Sequence, residues 1–246
     1  MSTFESLLQR PDLWRLRDHR PPGNGGFATG HAALDDLLRD GGWPPGALVE
    51  LLQRRPGIGE WQLLGPWLGE VSRRGSWQLW VDPPLLPFAP ALLQGGLCLE
   101  RVVIVRTASQ AQWLWCCDQA LRAAGCAAVV SWAARPLRYA DLRKLQVAAG
   151  ERRGIAFLLR GQRAAASASP AALRLSLACS REGLVMELLK QRGSPAGQRV
   201  LLPPPPVLQP QTPLRDRPCV VSAARPRAQA AVPPPASEPS REVVWQ

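Results

Sequence analysis

Metal-binding side chains are scarce in this sequence. It contains two histidines and six cysteines, and no two cysteines form a CxxC pair. A structural zinc site needs four His or Cys ligands clustered at short spacings. The sequence therefore excludes such a site, and nothing in it predicts another metal or a bound cofactor.

Long apolar stretches are also missing. No run approaches the roughly 18 apolar residues that a membrane-spanning helix needs, and the N-terminus lacks the apolar segment of a signal peptide. We therefore expect a chain without a membrane partner that is located in the cytoplasm, with the nucleoid as an alternative location.

Acidic residues are the scarcer charged class. The chain carries 30 Lys and Arg against 19 Asp and Glu, a formal net charge of +11. Much of the excess lies between residues 135 and 163, where eight basic residues accompany two acidic ones. Such a basic surface attracts nucleic acid or an acidic protein. The candidate DNA or partner contacts are Arg135, Arg138, Arg143, Lys144, Arg152, Arg153, Arg160 and Arg163.

One stretch of the chain is shaped like a phosphate-binding loop. The apolar run from Ala47 to Leu52 predicts a buried strand, a Pro/Gly loop follows, and a helix begins near Gly59. In a working loop the backbone N–H groups hold the phosphates, a Lys neutralises them, and a Ser/Thr hydroxyl binds Mg²⁺. Glu60 stands at the Lys position and Trp61 at the hydroxyl position.

Predicted strands and helices alternate through the middle of the chain. The strands are at 47–52, 77–81, 101–105, 126–132 and 155–159, and the helices at 59–74, 89–94, 108–124 and 138–150. This alternation is typical of βαβ units and predicts an α/β fold with a mostly parallel sheet flanked by helices. Two more strands, at 173–179 and 184–189, are joined by a short turn and predict an antiparallel C-terminal extension.

The two ends of the chain differ from its middle. Residues 1–26 form a predicted N-terminal region, with an amphipathic helix at 4–18 and a Gly/Pro linker. Residues 27–202 form the predicted domain. Residues 203–246 are rich in proline and predict a disordered tail. The apolar residues near its end, Val243, Val244 and Trp245, are a candidate docking motif.

Several short motifs resemble the core of RecA-type recombinases. They are Thr29-Gly30, Leu34-Asp35, Gly41-Gly42 and Pro45-Gly46 before the apolar strand, and Gly57-Ile58-Gly59 after it. The form Gly-Gly-Trp-Pro-Pro-Gly at 41–46, followed by Ala-Leu-Val-Glu-Leu-Leu, is more closely similar to the ImuA family of RecA-like proteins. The resemblance covers about residues 4–202 and implies a RecA-like core with a degenerate P-loop.

Compared position by position with the recombinase, the ATPase residues are missing. Glu60 stands at the Walker A lysine and Trp61 at the Mg²⁺-binding hydroxyl. The catalytic glutamate would fall near Pro84, and the Walker B aspartate near Ser131 or Trp132. Phosphoryl transfer depends almost wholly on positioning and charge stabilisation, so we expect a pseudo-ATPase that is not an enzyme.

The resemblance to ImuA implies a non-catalytic adaptor in SOS mutagenesis and translesion DNA synthesis. The implied partners are an ImuB-type inactive Y-family-like polymerase, a specialised replicative-type DNA polymerase and RecA, with DNA and a second copy of the chain as further candidates. Lys190 and Arg192 resemble basic residues that the recombinase uses across its subunit interface. The alternative is an SOS cell-division inhibitor of the SulA type, which binds the tubulin-like division protein.

Overall fold

The computed structural model of this chain describes residues 25–191 and 196–204. The helices are α1 (Ala32–Leu37), α2 (Glu60–Arg73), α3 (Ala89–Gln94), α4 (Gln110–Arg122) and α5 (Tyr139–Arg152), with 3-10 segments at Leu99–Arg101 and Gln162–Ala166. The strands are β1 (Leu48–Gln53), β2 (Trp77–Val81), β3 (Val102–Val105), β4 (Cys126–Trp132), β5 (Ile155–Gly161), β6 (Leu173–Ser180), β7 (Gly183–Gln191) and β8 (Arg199–Leu202). The predicted helix at 4–18, Arg192, and the candidate docking residues Val243, Val244 and Trp245 lie outside the described residues.

The eight strands within the described residues belong to one sheet, in the order β3-β2-β4-β5-β1-β6-β7-β8. Every neighbouring pair from β3 to β6 is parallel, and β7 and β8 pair antiparallel. The predicted α/β fold, with a mostly parallel sheet and an antiparallel extension, is confirmed. Sequence analysis missed β8, a four-residue strand directly before the proline-rich segment. The finer expectation of a RecA-like core stays a prediction.

The sheet is covered on both faces. Along β1 successive side chains point to opposite faces. Val49 and Leu51 belong to a core formed with α2 and the central Phe157, whereas Leu48 belongs to a second core that includes Leu142 of α5. All six residues of β1 are buried. Burial on both faces of the sheet explains why the strand is apolar except at Glu50 and Gln53.

Pro66 lies inside α2, and a proline within a helix ordinarily kinks or interrupts it. The helix instead runs unbroken from Glu60 to Arg73. Pro66 has no N–H to donate to the carbonyl of Gln62. That carbonyl accepts a hydrogen bond from the His31 ring at 2.9 Å. A side chain from outside the helix therefore replaces the backbone bond that proline removes.

Candidate functional site

The loop between β1 and α2 is held by the first side chain of the helix. The two oxygens of the Glu60 carboxylate accept hydrogen bonds from the backbone N–H of Gly57 at 2.8 Å and of Gly59 at 3.1 Å. Gly57 and Gly59 adopt positive φ angles of 82° and 130°, which glycine tolerates best. In a phosphate-binding loop such N–H groups face a phosphate. Here a carboxylate of the same chain occupies their hydrogen bonds.

Replacing Glu60 with alanine should lower the free energy of unfolding by about 1–3 kcal/mol. The N–H groups of Gly57 and Gly59 then lose the carboxylate that accepts their hydrogen bonds at the buried position 60. Urea denaturation followed by circular dichroism measures this change. Glu60→Gln is the matched control, since its amide oxygen can keep one of the two bonds, and it should cost less. Equal stability of wild type and Glu60→Ala would show that the carboxylate does not hold the loop.

Trp61 packs inward against small residues. A Cβ atom added at Gly95 would lie 2.5 Å from the Trp61 ring, and one added at Gly65 would lie 3.0 Å from it. The Trp61 ring also lies 6.3 Å from the Trp80 ring, centroid to centroid. The indole thus stands where a Mg²⁺-binding hydroxyl would be expected and makes close packing contacts instead. An indole has no oxygen to offer a hard cation.

An apolar groove opens beside this loop, at the carboxyl ends of β2 and β4. Trp61, Trp80 and Trp132 line it, with the Trp80 and Trp132 centroids 6.4 Å apart. The segment from Pro83 to Phe88 lines it as well, and the cavity has a volume of about 250 Å³. Crevices at the carboxyl ends of parallel strands are common ligand sites. The lining is almost wholly apolar, which suits a hydrophobic partner better than a nucleotide.

The other two positions expected to have lost ATPase chemistry lie near the groove. Pro84 lines the groove itself. Ser131 is buried, and its hydroxyl donates to the Phe157 carbonyl at 3.3 Å. Asp82, the acidic residue nearest to Pro84, accepts from the Thr107 N–H at 2.7 Å and from the Thr107 hydroxyl at 2.5 Å. The Ser131 hydroxyl and the Asp82 carboxylate are therefore both engaged in hydrogen bonds within the protein.

The basic residues predicted as contacts lie mostly at the surface, around α5. Seven of them are exposed: Arg135, Arg138, Arg143, Lys144, Arg152, Arg153 and Arg163. Lys190 is half-buried and its ammonium group donates to the Ser169 carbonyl at 2.7 Å. Their exposure leaves these seven residues accessible, and their role as a contact surface stays a prediction, whereas Lys190 is partly engaged within the protein.

Arg160 departs from this expectation. Its guanidinium is buried and donates to the Glu50 carboxylate at 2.7 Å, and Arg174 donates to the other Glu50 oxygen at 2.5 Å. Arg174 also donates to the Ala164 and Ser167 carbonyls, at 2.7 and 3.2 Å. The interpretation of Arg160 as a surface contact is wrong. Strand β5 pairs with β1, and this pairing places the Arg160 side chain on the same buried face of the sheet as Glu50. This ion triad fixes the loop after β5.

The triad was missed because each charge was considered separately. Glu50, Arg160 and Arg174 each interrupt an otherwise apolar strand. In the sheet Glu50 pairs with Arg174, and Arg160 pairs with Leu52, two residues further along β1. Residues two apart on a strand share a face, so the three charges meet. A signal was present in the sequence, but the partners could be matched only once the strand order was known.

The start of α5 is held by Asp141. Its carboxylate accepts from the backbone N–H of Arg138 at 3.1 Å and from the Arg138 guanidinium at 3.2 Å. The guanidinium holds the pKa of Asp141 below its ordinary value, while burial opposes this shift. This cap orients the helix that carries much of the basic surface.

Asp141→Ala should lower the free energy of unfolding by about 1 kcal/mol at neutral pH, because the helix loses its cap. The lowered pKa of Asp141 means that the native state favours the charged carboxylate. Its contribution is therefore present above the ordinary aspartate value of 3.8 and is lost as the pH falls through the lower folded value. Urea titrations from about pH 7 to about pH 2 should show the two proteins converging in acid. A constant difference down to the lowest pH would contradict this role.

Within residues 25–191 and 196–204, no cluster of three or more His, Cys, Asp or Glu side chains is suited to a metal ion. Over the same residues, no helix has the length and apolar character needed to cross a membrane. The geometry of the site thus consists of a loop closed by its own carboxylate, an apolar groove and a separate basic surface.

Comparison with known proteins finds similarity to a protein family and to a curated relative. Residues 46–156 match the family described as "Cell division inhibitor SulA". A protein of Edwardsiella piscicida named cell division inhibitor SulA is 31% identical over 112 residues, which is 45% of this chain and 66% of that protein. The chain therefore spans just under two thirds of that relative's length. The matched residues run from the turn before β1 to the start of β5 and include the loop, the groove and α5.

The expectation of an ImuA-family adaptor is wrong, and so are the polymerase and RecA partners that it implied. Both comparisons point to SulA instead. The strand, loop and helix at 47–61 belong to a fold pattern, and a fold pattern does not select one function. The Gly-Gly-Trp-Pro-Pro residues at 41–45 that favoured ImuA precede the matched region. Over residues 46–156 the chain is similar to SulA-type cell-division inhibitors.

Proposed function

We propose that this chain is an SOS-response inhibitor of cell division that acts by binding the tubulin-like division protein. The observation that carries the proposal is the match of residues 46–156 to the SulA family. That region includes the loop between β1 and α2, the apolar groove and helix α5 with its exposed basic residues. The function is one of protein binding, with no reaction catalysed.

The loop geometry supports a role without nucleotide hydrolysis. Glu60 already satisfies the Gly57 and Gly59 N–H groups that a phosphate would need. A phosphate approaching them would also meet the negative charge of this carboxylate, a repulsion of about 1–4 kcal/mol at contact. We therefore propose that the fold serves as a binding scaffold.

Purified protein should show no ATP turnover above a buffer blank, and Glu60→Lys should not create any. Restoring the lysine leaves Trp61, Pro84 and Ser131 in place, so the Mg²⁺-binding hydroxyl and both carboxylates are still missing. Release of inorganic phosphate measures the rate. Turnover by the wild type that disappears in Glu60→Ala would overturn the non-enzymatic part of the proposal.

The binding role is tested by expression in dividing bacteria without DNA damage. Cells should grow into filaments that divide again when expression stops. In a purified system, the protein should reduce the amount of GTP-assembled tubulin-like division protein that sediments. Normal division at an expression level confirmed by immunoblot, together with unchanged sedimentation, would refute the proposal.

The exposed basic residues of α5 are the proposed contact surface for an acidic face of this partner. Charge complementarity speeds association and selects partners. The double change Arg143→Glu and Lys144→Glu should weaken inhibition about tenfold or more. Arg54→Glu with Arg55→Glu is the matched control, because it changes the charge equally at two exposed loop residues, and it should leave inhibition nearly intact. Equal effects of both pairs would argue against a specific surface.

A further inference from the structure

The rim of the apolar groove is exposed to an unusual degree. Leu86 is 89% exposed and Phe88 is 69% exposed, with Leu85 at 60% between the prolines of the same segment. Contiguous exposed apolar side chains of this kind mark binding sites. The indole rings of Trp61, Trp80 and Trp132 line the same groove. Grooves lined by aromatic side chains bind proline-rich segments in the polyproline II conformation.

The described part of the chain ends close to this groove. The Gln62 side-chain amide donates a hydrogen bond to the Pro203 carbonyl, so β8 delivers the chain to the first turn of α2. That same turn contributes Glu60 and Trp61 to the groove. Gln62 lies on another side of the helix from Trp61, so the following residues must cross the N-terminal end of α2.

The path from Pro203 around the end of α2 to the groove is short enough for the next residues to span. An α-helix with its side chains is about 10 Å across, and four residues in the polyproline II conformation span about 12 Å. Residues 205–208 are therefore long enough to pass the end of α2. Residues from Val207 onwards can then lie over the groove.

The sequence that follows Pro204 has the composition that the groove requires. Residues 205–214 read Pro-Pro-Val-Leu-Gln-Pro-Gln-Thr-Pro-Leu and carry no charge, whereas the next residue is Arg215. Proline fixes φ in advance, so ordering such a segment loses little conformational entropy. Its tether adds an effective concentration in the millimolar range.

We propose that the proline-rich segment Pro205–Pro213 binds intramolecularly in the apolar groove between the tryptophans and the Pro83–Phe88 segment. In this arrangement the segment covers the exposed side chains of Leu86 and Phe88. This inference does not depend on the proposed role in cell division.

The test uses the full chain and a labelled peptide with the sequence of residues 203–214. In one variant Pro205, Pro206, Pro210 and Pro213 are changed to serine, which empties the groove. Fluorescence anisotropy should show this variant binding the peptide at least tenfold more tightly than the wild type, whose own segment competes. The matched control changes Pro233, Pro234, Pro235 and Pro239 to serine, and it should bind the peptide as weakly as the wild type.

One further variant, with two added substitutions, locates the binding site. Adding Leu86→Ser and Phe88→Ser to the groove-emptied variant should abolish peptide binding. Both side chains are exposed, so the fold should persist, and thermal denaturation checks this. Equal peptide binding by the wild type and the groove-emptied variant overturns the proposal. The proposal is also overturned if the groove-emptied variant binds a peptide of residues 4–18 more tightly than the peptide of residues 203–214. A wild type that is dimeric while the groove-emptied variant is monomeric also overturns it, because the segment then binds a second copy.

Discussion

Glu50→Ala should lower the free energy of unfolding by about 3–5 kcal/mol, the largest loss that we expect from a single substitution in this protein. The change leaves the Arg160 and Arg174 guanidiniums buried without their counterion. It also frees Arg174 from one of the contacts that orient it toward the loop after β5. Urea denaturation followed by circular dichroism should show an early transition or no folded baseline.

Two controls separate burial from charge. Glu70→Ala removes a carboxylate that pairs with two arginines at the surface, where its own side chain is 42% exposed, and it should cost less than about 1 kcal/mol. Replacing Glu50, Arg160 and Arg174 together with Leu, Met and Leu should recover most of the lost stability, because no charge then remains buried. If the single Glu50 change costs no more than the Glu70 change, the triad does not stabilise the fold.

Phe157→Ala should cost about 3–5 kcal/mol, the second large effect. Phe157 is fully buried on the central strand β5. Its ring makes edge contacts with Trp43 at 5.2 Å and with Trp67 of α2 at 5.6 Å. Removing it opens a cavity between the turn before β1 and the helix that follows the loop. Thermal and urea denaturation measure the loss.

Phe157→Leu is the conservative comparison and should cost less, because much of the buried volume is kept. Tyr139→Ala removes an aromatic ring that is 51% exposed at the start of α5 and should change stability by less than about 1 kcal/mol. Similar losses in Phe157→Ala and Tyr139→Ala would mean that the Trp43–Phe157–Trp67 cluster is not a centre of the core.

The sheet could be predicted because its strands are short apolar runs separated by helices with regular spacing. The predicted strand at 77–81 coincides with β2, and the one at 126–132 coincides with β4. The strand β8 was missed because it has only four residues and ends against a run of prolines. Arg199–Leu202 forms a strand because it pairs antiparallel with β7. The equally short β3 was predicted because all four of its residues are β-branched and apolar, a signal that Arg199–Leu202 lacks.

The candidate site was only partly predictable. The unusual residues at positions 60 and 61 were visible at once, and they predicted the absence of nucleotide chemistry. That Glu60 binds its own loop could not be seen, since it depends on the backbone directions of Gly57 and Gly59. The groove was not predicted either, because its walls come from four separate elements that meet only after folding.

The choice of function also needed more than local motifs. The Gly/Pro motif at 41–46 favoured an ImuA adaptor, while the match over 46–156 favours a SulA-type inhibitor. Both interpretations expect the same strand, loop and helix. A short strand, loop and helix motif that both interpretations share cannot separate the two functions.

By itself the sequence determined the α/β class and the order of most elements, because these follow from local apolar patterns. The tertiary structure alone decided which charges are buried and which surfaces remain open. Arg160 and Arg143 look alike in the sequence, yet strand register buries one beside Glu50 and helix geometry exposes the other. The environment of a charge is set by residues distant in the chain, and only folding brings them together.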